Sequence, residues 1–195
     1  MLEVTSSIVE LDDLAAPEFG HLLAYWQDLR GSRFAPSWTD IELIDLPAKV
    51  LPYLTVVEVR AQPMDFVYRF CGTGHMSVKA RDYTGCSVTQ VRPAVIAELI
   101  FDQFRRTFEA RRPMAFRRTI TGFGDSGPMV HTSLRLPLSA DGEGVHWLIS
   151  VADWDSSADM REFYLAHVRD AVAAAALPAA GAAGPLPAAG AGKSR

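Results

Sequence analysis

The chain predicts an α+β domain: a five-stranded antiparallel sheet with helices packed on one face, plus an N-terminal cap helix and a C-terminal helix. Two observations carry this. Residues 54–154 hold five short apolar runs divided by turn chemistry, and one long amphipathic stretch falls between the second and third runs. Strand–strand–helices–strand–strand–strand within about a hundred residues is the order of a single sheet cradling a few helices.

Composition sets the bounds. The chain has 195 residues, of which 49% are hydrophobic, enough for one core. A net charge of −4 argues against a dedicated nucleic-acid binder, which needs a basic face to neutralise phosphates. Cys71 and Cys86 lack CxxC spacing and are expected buried rather than paired. With no leader-like N-terminus and no apolar run of membrane-spanning length, a cytoplasmic location and no membrane insertion are expected.

Residues 1–15 carry little pattern and are expected to be weakly ordered. The cap helix and entry loop occupy 16–50. Pro17 and Glu18 open a helix in which Phe19, Leu22, Leu23, Trp26 and Leu29 share one face, and Gly31 ends it. That stripe must bury against its own sheet or a second copy, so it is the expected cap or homodimer surface. Residues 33–49 are irregular, broken by Pro36 and Pro47, with a turn of helix after Asp40.

The sheet core spans 51–155. Residues 54–59 and 66–71 read as a hairpin around Gln62-Pro63-Met64-Asp65. Residues 91–111 form the long helix, with Ile96, Leu99, Ile100, Phe104 and Phe108 on one face and Pro113 as its stop. Strands follow at 116–121, 129–138 and 145–154. A C-terminal helix is expected within 156–176, carrying Met160, Phe163, Tyr164, His167 and Val168 on one side. From 177 to 195 the chain is low-complexity Ala/Gly/Pro with nothing large to bury, and disorder is expected.

Tyr25-Trp26, Leu29-Arg30-Gly31, Arg33, Pro36 and Asp40 precede the first strand. Tyr68-Arg69-Phe70 with Gly72-Thr73, then Arg81-Asp82 with Thr84-Gly85, follow it. This ordered set, over residues 20–155, resembles a family of short, stand-alone bacterial PAS proteins commonest in alphaproteobacteria, the fifth PAS subfamily. The resemblance implies a sensory or protein-interaction role, with a pocket between sheet and helices. It implies no particular chemistry. Phe66, Tyr68 and Phe70 alternate onto one face of the second strand, and Ile96, Ile100 and Phe104 are expected to oppose them across the pocket. His75, just after Gly72-Thr73-Gly74, is placed to face it. The same residues also fit an ordinary filled core.

Several motifs invite sharper readings. Gly124-Asp125-Ser126-Gly127-Pro128 imitates the nucleophile loop of trypsin-like proteases, but the surrounding motifs are missing and loops use these residues for their own geometry. Some PAS sensors bind haem through a histidine on the long helix; residues 91–111 contain none. His131 and His146 fall on expected strands, and no HxxxH or HxH pair exists. Cys86 lacks the motif around a flavin-binding cysteine. Haem and covalent flavin are therefore not expected, and the cofactor is unknown. Arg105, Arg106, Arg111, Arg112, Arg117 and Arg118 suit either an acidic or phosphorylated partner or a solvated helix end.

The expected function is a cytoplasmic sensory adaptor of PAS type that binds a small ligand or a signalling protein, without an output domain and without enzymatic chemistry. The alternatives are a small pocket enzyme, of hydrolase or isomerase type, and a purely structural dimerisation module.

Overall fold

A computed structural model describes residues 1–125, 127–153 and 158–174. The described residues form six strands and four α-helices: β1 (Glu3–Val9), α1 (Pro17–Arg30), β2 (Leu54–Ala61), β3 (Met64–Cys71), α2 (Thr73–Lys79), α3 (Ala94–Ala110), β4 (Met114–Thr121), β5 (Met129–Leu138), β6 (Trp147–Asp153) and α4 (Ala158–Ala174). The strands form one antiparallel sheet in the order β1-β4-β5-β6-β2-β3. The α+β class stands. The five-stranded arrangement does not.

The extra strand is β1, inside the segment expected to be weakly ordered. It runs along β4 from Glu3↔Thr121 to Val9↔Ala115 and forms one edge of the sheet. Its sequence, EVTSSIV, has β-branched residues but no apolar alternation, because most of its side chains are exposed. Pairing with β4 creates this strand, and period-2 hydrophobicity has no reason to mark it.

A second correction concerns the layers. Helices lie on both faces of the sheet. Alternation along β5 sends Leu134, Leu136 and Leu138 to one face, where they meet Phe19, Leu22 and Trp26 of α1, Trp38, and Ile149 and Val151 of β6. The α1 stripe is consumed there: Phe19, Leu22 and Trp26 are buried, and Leu23 and Leu29 pack against the same cluster. The indole of Trp26 donates to the Pro137 carbonyl at 2.8 Å, which fixes α1 across β5. The opposite face carries α2, α3 and α4 through Val78, Ile96, Ile100, Phe104, Met160, Phe163 and Tyr164. Glycine seats α2: a Cβ at Gly72 would collide with the Leu51 carbonyl oxygen, and one at Gly74 with the Tyr53 ring.

A third correction falls in β3. Val56 pairs with Phe70 but Val57 pairs with Tyr68, so Arg69 is an extra residue. This bulge flips the pleat. Phe66 and Tyr68 face α3, whereas Phe70 packs with the α1-side cluster. Unbroken alternation, the basis for grouping the three, does not survive the bulge. The tail expected to be disordered, 177–195, lies outside the described residues.

Candidate functional site

The α3-side face is not uniformly apolar. In the middle of the sheet, alternation turns Thr55 of β2, Arg118 of β4, His131, Ser133 and Arg135 of β5 and Ser150 of β6 toward the helices. Their neighbours across the ladder are one another: Arg118↔His131, Arg135↔Ser150, Thr55↔Ser150. His75 and Lys79 of α2, Ile100 and Phe104 of α3, Tyr68 of β3 and Ala152 of β6 close the remaining sides. The cavity between them is about 20 Å³. That holds one water-sized species and no organic molecule without movement.

Arg135 sits at the centre and is 4% exposed. Its Nη1 donates to Ser150 Oγ at 3.2 Å and its Nη2 to Gln103 Oε1 at 2.5 Å. The guanidinium lies 3.9 Å from the centre of the Phe104 ring, a close cation–π stack. Its Nε has no hydrogen-bond partner among the described residues. Gln103 in turn donates from Nε2 to Ser6 Oγ at 2.8 Å, so the edge strand is tied to the cavity through one amide. On the other side Arg118 donates from Nη2 to the Tyr164 hydroxyl at 3.1 Å, linking the cavity to α4. His75 Nε2 lies 2.8 Å from the Tyr53 carbonyl, and Lys79 sits over the Tyr68 and Tyr83 rings at 5.6 and 5.8 Å.

Burial dominates the electrostatics. Desolvation, with Lys79 adding to it, pushes His75 well below the ordinary imidazole range; desolvation and then Arg118 do the same to His131. Both rings are neutral near pH 7. Desolvation also lowers the Lys79 amine to about 8 and pushes the Tyr68 and Tyr164 hydroxyls upward. Arg135 is pushed down by burial yet keeps its charge at neutral pH, as guanidinium does. Chemically, the described residues make the site small and rich in hydrogen-bond donors, with no carboxylate in its lining.

Of the residues expected to line a pocket, Tyr68, His75, Ile100 and Phe104 do so. Phe66 and Ile96 belong to the surrounding core, where Phe66 stacks on Phe101 and Phe104. Phe70 faces away. Sequence reasoning misses the polar members Lys79, Arg118, His131 and Arg135. It groups Arg118 with an arginine run suited to an acidic or phosphorylated partner or to a solvated helix end, yet that residue is 2% exposed. The run divides: Arg105 and Arg106 pair with Asp102 and Glu109 on the exposed side of α3, Arg111 donates to the Glu143 carbonyl, and Arg118 turns inward. A signal does exist in the spacing, since Phe116, Arg118 and Ile120 alternate, as do His131, Ser133 and Arg135. His146 lies outside, in the β5–β6 loop beside Gly144.

Among the described residues no group of three or more His, Cys, Asp or Glu could hold a metal, and no helix is long and apolar enough to cross a membrane. Cys71 and Cys86 are both free thiols. Comparison with protein-family models, with curated proteins and with solved structures finds no match.

Proposed function

We propose that the protein is a cytoplasmic sensory adaptor, in which occupancy of the cavity between sheet and α3 is read out by a partner protein or a second copy. One observation carries the reading. Polar side chains from β2, β4, β5, β6 and α2 converge on one small cavity between sheet and helices, where a purely structural domain gains more from apolar packing. The cavity is also wired outward, to α4 through Arg118–Tyr164 and to the sheet edge through Arg135–Gln103–Ser6. Those contacts give a bound species a route to elements that a partner can touch.

The second reading, a pocket enzyme, draws on Lys79, whose amine at about 8 is poised for proton transfer or nucleophilic attack. The ties from the cavity to α4 and to the sheet edge favour the sensor.

Ile100→Trp tests the proposal. It fills the cavity from α3, and overpacking is expected to cost about 1–3 kcal/mol while the fold is kept. Hydrogen exchange in α4 should then differ from wild type, and partner recovery in a pull-down should change. A variant that folds normally with unchanged α4 exchange and unchanged recovery contradicts the sensor reading. A variant that unfolds places Ile100 in a filled core and contradicts it as well.

A further inference from the structure

The chemistry of the cavity narrows what occupies it. Arg135 is a buried cation whose hydrogen bonds and ring contacts are all to neutral groups: Ser150, Gln103, Phe104 and Phe116. No carboxylate pairs with it among the described residues. Neither Arg nor Lys can accept a hydrogen bond, and the hydroxyls of Ser133 and Ser150 can rotate to donate. No Asp or Glu is among the described residues lining the cavity. A water there would satisfy Arg135 Nε but leave the guanidinium charge uncompensated. At short range in a low-dielectric interior, compensating that charge matters more than making one further hydrogen bond.

We propose that the cavity binds one small monatomic anion, chloride under ordinary conditions, held against the Nε edge of Arg135. This rests on the sensor reading above, since it names the ligand class of the same site. The size agrees: about 20 Å³ admits one species comparable to a water and excludes carboxylates and phosphates in this conformation. The geometry agrees too. Gln103 takes one N–H of Nη2 and Ser150 one of Nη1, and Nε is the nitrogen of this side chain with no hydrogen-bond partner among the described residues.

Crystals of the full chain grown or soaked in sodium bromide give the direct test. An anomalous peak within hydrogen-bond reach of Arg135 Nε is expected. A cavity with no such peak, or one filled by water or by an organic molecule, overturns the inference. An organic occupant would leave the sensor reading standing. A halide peak combined with α4 exchange that is the same in chloride and in gluconate would sink the sensor reading and leave the halide site. In solution, the melting temperature at a chloride concentration tenfold above the dissociation constant should exceed that in sodium gluconate at equal ionic strength by about 3–6 °C. Arg135→Met should abolish the difference. Equal melting temperatures in the two salts for the wild type would contradict the proposal, whether or not the variant folds.

Discussion

The two faces of the same sheet both bury apolar clusters but differ in the middle of the sheet. Toward α1 the strands present Leu54, Val56, Ala115, Leu134, Leu136, Leu138, Ile149 and Val151, all apolar and all at most 3% exposed. Toward α3 the same strands present Thr55, Arg118, His131, Ser133, Arg135 and Ser150, nearly as deeply buried. Strand periodicity guarantees that both sets exist. It does not dictate that one be polar. The first face stabilises by removing area from water, at about 25 cal/mol per Å². The second carries the desolvation of several polar and charged groups, offset only in part by hydrogen bonds. The difference teaches that one sheet can carry an apolar core on both sides and still set a polar cluster into the middle of one of them.

Truncation on the α1 face should therefore have the largest effect. Trp26→Ala removes a buried ring and its hydrogen bond to Pro137, and a loss of about 3–5 kcal/mol in urea denaturation is expected. On the α3 face, Gln103→Leu withdraws the acceptor of Arg135 Nη2 inside a buried site, with an expected loss of about 1.5–3 kcal/mol. Were the cavity an ordinary core, a leucine there would be nearly neutral.

Acid should strike the α3 face selectively. His75 and His131 are held neutral by burial, with their folded values far below the usual imidazole range. The unfolded chain binds a proton on each near pH 6.5, so below that value it holds more protons than the folded one. Stability thus falls as the pH falls, by about 1 kcal/mol per histidine between pH 7.5 and 5.5. Denaturation curves for wild type and His131→Asn should show a shallower slope in the variant; equal slopes would mean that His131 is already charged when folded. The smallest effect is expected at the sheet edge. Ser6→Ala removes only the acceptor for Gln103 Nε2, at a cost of about 0.5–1.5 kcal/mol, and should also reduce hydrogen-exchange protection in β1.

The α1 face is legible in the sequence, and the α3 face only in outline. Phe19, Leu22 and Trp26 repeat at helical spacing, and the apolar runs of β2, β5 and β6 alternate, because burial against hydrocarbon leaves a hydropathy signal. Buried polar residues leave none, since Arg118 and Arg135 have the composition of surface positions. The bulge at Arg69 and the edge strand β1 are hidden for a different reason: both come from pairing between separate segments, Val56 with Phe70 and Glu3 with Thr121. Local pattern carries no record of a partner a hundred residues away.

Leu134 and Arg135 set the comparison at its sharpest. They are adjacent on β5, at 0% and 4% exposure, and point to opposite faces of the sheet. Urea denaturation of Leu134→Ala and Arg135→Met in chloride-free buffer, side by side, tests the central claim most directly. A core residue and a site residue predict different outcomes: a loss of about 2–5 kcal/mol for Leu134→Ala, and for Arg135→Met a change within about 1 kcal/mol of wild type or a gain, because the variant no longer buries an uncompensated charge. Equal losses of several kcal/mol at both positions would contradict the division between core and site.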